Sequence, residues 1–330
     1  MTKEDDLYAV IGLGNISVRH RKNLKSLFPS ARIACLSSSN RSIEYKPDYS
    51  DILTKSIDEL ISLKPNFVII ASPAPFHAQH SIPFIENNIP VLIEKPIAAC
   101  IKDAELIAAS AKKYKTPVAI GYCLRYKPFF EKVKDCIDSE IIGRINKINI
   151  VCGSYLPLWR PNTDYRDSVS ASASLGGGAL LELSHEIDYA NFFIKDLSLQ
   201  SATIIKSGKL DIDVEDFVDL IFNLPEGGNC KIHLDFIKQD PTRKASFIGT
   251  KGNILWNLEH NSFSISAPNI EEKKEINNWD SNKMYIDMLV DFSSNYINFK
   301  NSKLCKVSEA IDVLQIIEKA HQIGGQECNE

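Results

Sequence analysis

Leu7-Tyr8-Ala9-Val10-Ile11-Gly12-Leu13-Gly14-Asn15-Ile16-Ser17 stands near the start of the chain. Leu7 to Leu13 is a short apolar run of the kind that forms a buried strand. The glycines turn it sharply into a helix, for whose buried side Ile16, Leu24, Leu27 and Phe28 are available. Strand, glycine turn and helix in this order are the setting in which a Gly-x-Gly fingerprint holds a dinucleotide. Gly12 allows the tight turn, and Gly14 lets a pyrophosphate approach the backbone. The helix start at Asn15 and Ile16 offers unpaired N–H groups to it. Ser17 occupies the place of the usual third glycine and is small enough for close packing of helix on strand.

The chain then alternates strand and helix. A second strand, Arg32 to Leu36, runs into Ser37-Ser38-Ser39-Asn40-Arg41. An acid at this strand end normally holds the ribose 2′-hydroxyl of NAD, and none occurs before Glu44. Ser37 and Ser38 offer hydroxyls and Arg41 a partner for a 2′-phosphate, so NADP is expected ahead of NAD. Ser56-Ile57-Asp58-Glu59 opens a helix with a capping box. Asn66 to Ala71 is a buried strand that ends in Ser72-Pro73, with His77 and His80 on the helix behind it. The two histidines lack a third ligand nearby, so no metal site is expected. Val91-Leu92-Ile93 is a further strand, closed abruptly by Glu94-Lys95-Pro96, and helix 103–114 and strand 117–122 follow. Strands separated by helical stretches predict a doubly wound parallel sheet, whose strand ends face a ligand crevice. Lys95 at such an end can reach a ligand.

Composition narrows the class. A chain of 330 residues predicts two domains, divided here as 1–124 and 125–330. A net charge of −4 and no basic stripe argue against nucleic acid or a membrane surface as partner. Eight scattered cysteines without a Cys-x-x-Cys pair suit reduced thiols, and the polar, acidic start is not a signal peptide. A cytoplasmic protein is expected.

The second half opens with a helix over 128–139 and a strand around Ile148, Ile150 and Cys152. Trp159-Arg160-Pro161 and Asp164-Tyr165-Arg166-Asp167 read as a loop suited to a sugar, the ring packing on its apolar face and the charges bonding hydroxyls. Gly176-Gly177-Gly178 lets a backbone pass close to a ligand, and a helix over 179–193 should place Glu182, His185 and Tyr189 on one face. A histidine on so apolar a helix is either a satisfied core group or a catalyst, and the residues alone leave both open. Alternation in 218–224 and 230–236 about the turn 225–228, and a second pair in 247–258, predict an antiparallel sheet. Helices over 284–296 and 308–323 close the chain.

Gly12-x-Gly14, Ser72-Pro73 with His77, Glu94-Lys95-Pro96 and Gly121-Tyr122-x-x-Arg125-Tyr126, in that order, resemble the glucose–fructose oxidoreductase / inositol dehydrogenase (Gfo/Idh/MocA) family. The resemblance implies an N-terminal Rossmann domain and a C-terminal α+β domain with an open, mostly antiparallel sheet that builds a homodimer or homotetramer. It implies NAD(P)-dependent oxidation or reduction of a sugar, cyclitol or nucleotide-linked sugar. It assigns catalysis to Lys95 and His185, with the proton carrier undecided between them. Around the dinucleotide it sets Ser72, Pro73, His77 and Glu94 beside the glycine loop. Around the substrate it sets Tyr122, Arg125, Trp159, Arg160 and Glu182. Glu182 departs from the family pattern in being Glu rather than Asp and one residue nearer the histidine. Trp159-Arg160-Pro161 with Leu183 to Asp188 is similar to a branch tied to bacterial surface sugars. The alternative is a sensor on the same fold that binds NAD(P) without turnover.

Overall fold

The computed structural model describes residues 6–39, 45–296 and 302–324. Close contacts divide the chain into two units, Met1–Cys123 with Ser281–Leu314 and Leu124–Asp280 with Gln315–Glu330.

The first unit is a Rossmann domain. Its strands are β1 (Leu7–Ile11), β2 (Arg32–Leu36), β3 (Ile52–Leu53), β4 (Phe67–Ile70), β5 (Val91–Ile93) and β6 (Val118–Ile120). They lie in the order β6-β5-β4-β1-β2-β3, all parallel. Residues 7–11, 67–70, 91–93 and 118–120 are fully buried, as strands covered on both faces must be. The crossovers are helices α1 (Asn15–Leu27), α2 (Ile57–Ser62), α3 (His77–Glu86) and α4 (Ile101–Tyr114). Ser56 caps α2 by accepting from the Glu59 N–H at 3.1 Å. The order reverses between β1 and β4, and this switch point opens the crevice at the strand ends.

The described residues of 281–314 pack in this unit, although the division at 124/125 places them in the second domain. Cys305–Lys306 adds an antiparallel strand to the edge at β6. Helix Lys283–Asn295 sets Phe292 edge-on to Phe67, with ring centroids 5.3 Å apart. Asn282 and Asn23 exchange amide hydrogen bonds at 2.8 and 3.1 Å. An amphipathic pattern tells that a helix has a buried face, and says nothing of which core receives it.

The second unit holds an eight-stranded sheet. Its strands are β7 (Ile145–Gly153), β8 (Ser198–Ile205), β9 (Phe217–Asn223), β10 (Asn229–Asp235), β11 (Thr242–Gly249), β12 (Asn253–Asn257), β13 (Ser262–Ala267) and β14 (Ile270–Glu275). The order is β14-β13-β12-β11-β7-β10-β9-β8, antiparallel throughout except between β7 and β10. Helices α5 (Phe130–Asp138), α6 (Ala179–Glu182) and α7 (His185–Phe193) belong to this unit. Phe130, Tyr189 and Phe193 of these helices meet Trp256 of the sheet at ring distances of 5.4–6.0 Å. No helix among the described residues is long and apolar enough to cross a membrane.

Candidate active site

At the end of β1 the backbone leaves the sheet through Gly12, whose φ of +112° is open to glycine and strained for other residues. A Cβ there would also overlap the Ala71 carbonyl oxygen. Ser17, fully buried in α1, donates its hydroxyl to that same carbonyl at 3.2 Å. The serine in place of a third glycine therefore seals α1 against the end of β4. Gly14 is the N-cap of α1, and a Cβ on it would meet nothing within 4 Å among the described residues. Gly14 and Asn15 are exposed and Ile16 is half-buried, and no side chain caps the helix. The backbone donors of the first turn are thus presented at an uncovered, uncrowded surface, which fits a pyrophosphate. Ser37 and Ser38 at the end of β2 are half-buried, and the Ser37 hydroxyl accepts from the Ser39 N–H at 3.3 Å. Arg41 lies outside the described residues.

The next two strand ends are tied together by α3. His77, 1 % exposed, reaches the Ser72 carbonyl with Nε2 (2.8 Å) and the Pro96 carbonyl with Nδ1 (2.9 Å). His80 Nδ1 lies 2.9 Å from the Ser72 hydroxyl. Burial lowers the pKa of both imidazoles, that of His80 to about 4 with His77 as a further cause. A neutral His77 carries one N–H and so donates to one of these two carbonyls, while the Ser72 hydroxyl is tied to His80. Among the described residues no group of three or more His, Cys, Asp or Glu could hold a metal ion. Lys95 is half-buried on the segment that leaves β5, before a cis bond to Pro96, and Glu94 is 8 % exposed. Tyr122 is buried just beyond β6.

The second unit departs from the expected helix. The backbone breaks at Leu183 and Ser184, so Glu182 ends α6 and His185 begins α7. His185 and Tyr189 remain one turn apart on α7, whereas Glu182 belongs to a separate helix. Glu182 accepts from the Ser170 hydroxyl at 3.1 Å and so fastens the preceding loop. Packing constrains two of the three glycines. A Cβ on Gly177 would overlap the Val169 carbonyl, and one on Gly178, at φ +103°, would overlap the Glu215 carboxyl group.

Arg125, expected at the substrate, is 2 % exposed and held in a bidentate pair with Asp188 (2.6 and 2.9 Å), with Phe192 under its guanidinium at 4.7 Å. Glu186, fully buried beside His185, pairs in the same way with Arg243 of β11 (2.7 and 2.9 Å). Two ion pairs thus anchor α7 on either side of His185, itself 8 % exposed. Trp159 donates its indole N–H to Ser154 at 2.7 Å and stands edge-on to Phe236. Trp159 and Arg160 line a cavity of about 420 Å³ with Leu183, Thr242, Arg243 and Glu259. It offers an aromatic ring, hydroxyls and both signs of charge. Arg243 and Glu259 carry no motif that marks them, and they sit in a strand and a turn far along the chain from Trp159.

A family model described as an oxidoreductase family with an NAD-binding Rossmann fold (GFO_IDH_MocA) matches residues 7–122. The corresponding GFO/IDH/MocA C-terminal domain matches residues 130–255. An inositol 2-dehydrogenase of Rubrobacter xylanophilus is 26% identical over 191 residues, 57% of this chain and 52% of that protein. A 2,7-anhydro-N-acetylneuraminate hydratase of Escherichia coli is 21% identical over 263 residues, covering 78% and 69%. The chain spans 35–55% of the length of the first curated relatives it matches. A levoglucosan dehydrogenase solved with NADH and levoglucosan superposes with a TM-score of 0.83 at 16% identity, covering 98% and 97% of the two chains. That likeness shows the fold.

Proposed function

Because the chain belongs to the Gfo/Idh/MocA family of oxidoreductases, we propose that it moves a hydride between a nicotinamide dinucleotide and a hydroxyl- or keto-bearing carbon. The substrate class is a sugar, a cyclitol or a nucleotide-linked sugar. One observation carries the reading: the open Gly14 helix start and the Glu94-Lys95-Pro96 segment lie at the same edge of one parallel sheet, one on each side of β4. A bound dinucleotide supplies the hydride or accepts it. The protein must then handle the hydroxyl proton and the charge left on oxygen. Lys95 and His185 are assigned these tasks on the family pattern. An ammonium steadies a developing alkoxide, and an imidazole, with an unperturbed pKa near ~6.5, exchanges protons at neutral pH. Trp159 and Arg160 are assigned to the sugar ring and its hydroxyls.

NADP is proposed ahead of NAD, because Ser37 to Ser39 at the end of β2 provide no carboxylate for a ribose 2′-hydroxyl. We place the reaction in the cytoplasm, where scattered thiols stay reduced, and in bacterial surface-sugar metabolism, on the likeness at Trp159-Arg160-Pro161 with Leu183 to Asp188. We assign self-association to the sheet face bearing Ile221, Ile248 and Leu255, the last two 41% and 40% exposed. Leu255→Lys should lower the mass seen by light scattering, and an unchanged mass would remove that face from consideration.

The test is a reduction screen with NAD and NADP against free and nucleotide-linked sugars and cyclitols. Product chromatography belongs beside it, since a relative named as a hydratase yields no net reduced cofactor to count. With a substrate in hand, Lys95→Ala and His185→Ala should each cut turnover by ~10²-fold or more. Near-normal kcat in both would end the assignment.

A further inference from the structure

Glu94 has no task in the reaction proposed above, and its surroundings supply one. Its side chain is buried. Oε1 accepts from Nε2 of His20 at 2.6 Å. Oε2 accepts from the peptide N–H of Lys95 at 3.3 Å. Gly121 leaves room for the carboxylate, since a Cβ there would stand 3.2 Å from Oε2. His20 is on α1, fully buried, in the turn after Ser17, and Tyr285 closes its ring edge-on at 6.1 Å. Among the described residues Nδ1 of His20 has no hydrogen-bond partner, so the Glu94 contact is its single polar tie there. A buried imidazole with one bond, and that bond to a carboxylate, is costly as mere filling.

We propose that His20 is a positioning residue for Lys95: from the helix whose N-terminus faces the dinucleotide, it holds the Glu94 carboxylate, and through it the Lys95 backbone. The helix start and the lysine are then set by one rigid chain of contacts, α1 to His20 to Glu94 to Lys95. An approach of dinucleotide to the first turn of α1 and the aim of Lys95 are mechanically linked. This rests on the oxidoreductase reading for its purpose, but the linkage can be measured without any turnover.

The variants are His20→Asn, whose amide is too short to reach Glu94, and His20→Gln, whose amide reaches about as far as Nε2. Amide hydrogen exchange of the full chain is followed with and without NADPH or NADH. His20→Asn should speed exchange at Lys95 by about tenfold or more while β5 itself stays protected, and His20→Gln should restore the slow rate. Equal exchange at Lys95 in wild type and His20→Asn overturns the proposal. Where His20→Asn does not fold, Glu94→Asp withdraws the carboxylate from the other side and must give the same signature. With the substrate from the screen, His20→Asn should lower kcat about tenfold and leave dinucleotide affinity within about threefold. In a Lys95→Ala background it should lower kcat no further. An undiminished loss there would show that His20 does not act through Lys95. If wild type binds neither NADPH nor NADH, the functional reading fails, while the exchange result still decides the linkage.

Discussion

Gly12 and Gly14 stand two residues apart and answer to different constraints. Gly12 is held by the protein itself, through a left-handed φ of +112° and the Ala71 carbonyl. Gly12→Ala should therefore lose stability by about 1–3 kcal/mol or more, visible as a lower Tm before any ligand is added. Gly14 has φ −71° and open space around its missing side chain. Gly14→Ala should leave the unliganded Tm within the shift of about 0.5 kcal/mol usual for surface changes, yet weaken NADPH and NADH in a fluorescence titration. A Gly14→Ala protein that binds both as wild type does would show that nothing approaches that backbone. Much of this was legible beforehand, because glycine spacing reports backbone constraint directly. The tie from His20 to Glu94 was not. Arg19-His20-Arg21-Lys22 contains no apolar residue to mark a buried face, yet His20 and Arg21 are buried while Arg19 and Lys22 are exposed.

At the scale of elements, α1 shows why. Its apolar residues Ile16 and Leu27 are half-buried, and its buried face is Ser17, His20, Arg21, Asn23 and Leu24. Periodicity of apolar residues cannot find a polar face that is buried because it is hydrogen-bonded. The break between α6 and α7 was hidden for a different reason. Leu183-Ser184 carries neither Gly nor Pro, and the packing of Glu182 on Ser170 and Glu186 on Arg243 sets the bend. The strand alternation of β9 and β10 was plain, and it places a testable trio on the face away from the core. His233 lies between Asp219 (2.7 Å) and Asp235 (2.9 Å). The bond to Asp235 raises the His233 pKa, with burial working against it. Burial works against the Asp235 charge as well, and the bonds from His233 and from the Ile237 and Lys238 N–H groups outweigh it and lower that pKa. A raised histidine contributes stability that is complete below its unfolded pKa of about 6.5 and vanishes as pH rises through the folded value. A lowered aspartate contributes above about 3.9 and loses it as pH falls through its folded value. Wild type should therefore exceed His233→Gln in Tm most clearly near pH ~5.5, with the gap shrinking as pH rises past ~6.5. A gap that is flat or widens with pH contradicts this account.

For the whole molecule, the first unit is built from two separate lengths of chain. A fragment ending at residue 124 lacks helix Lys283–Asn295 and the edge strand Cys305–Lys306, and exposes Phe67 and the Asn23 side chain that they cover. It should unfold readily or aggregate on expression, whereas 1–123 joined by a flexible linker to 281–314 should melt cooperatively. Equal cooperativity in calorimetry of the two fragments would show that the return segment contributes nothing. The change of strand pattern near residue 124 was visible in the sequence. The return was not, since pairing two residues with β6 leaves almost no periodic trace. That pairing also sets a timetable for biosynthesis. Roughly 180 residues separate β6 from Cys305, so at ~5–20 residues per second the outer edge of β6 is synthesised about 10–40 s before its partner exists. Throughout that interval the nascent first unit carries an open strand edge, and a chaperone that shields such edges would matter until Cys305 is made.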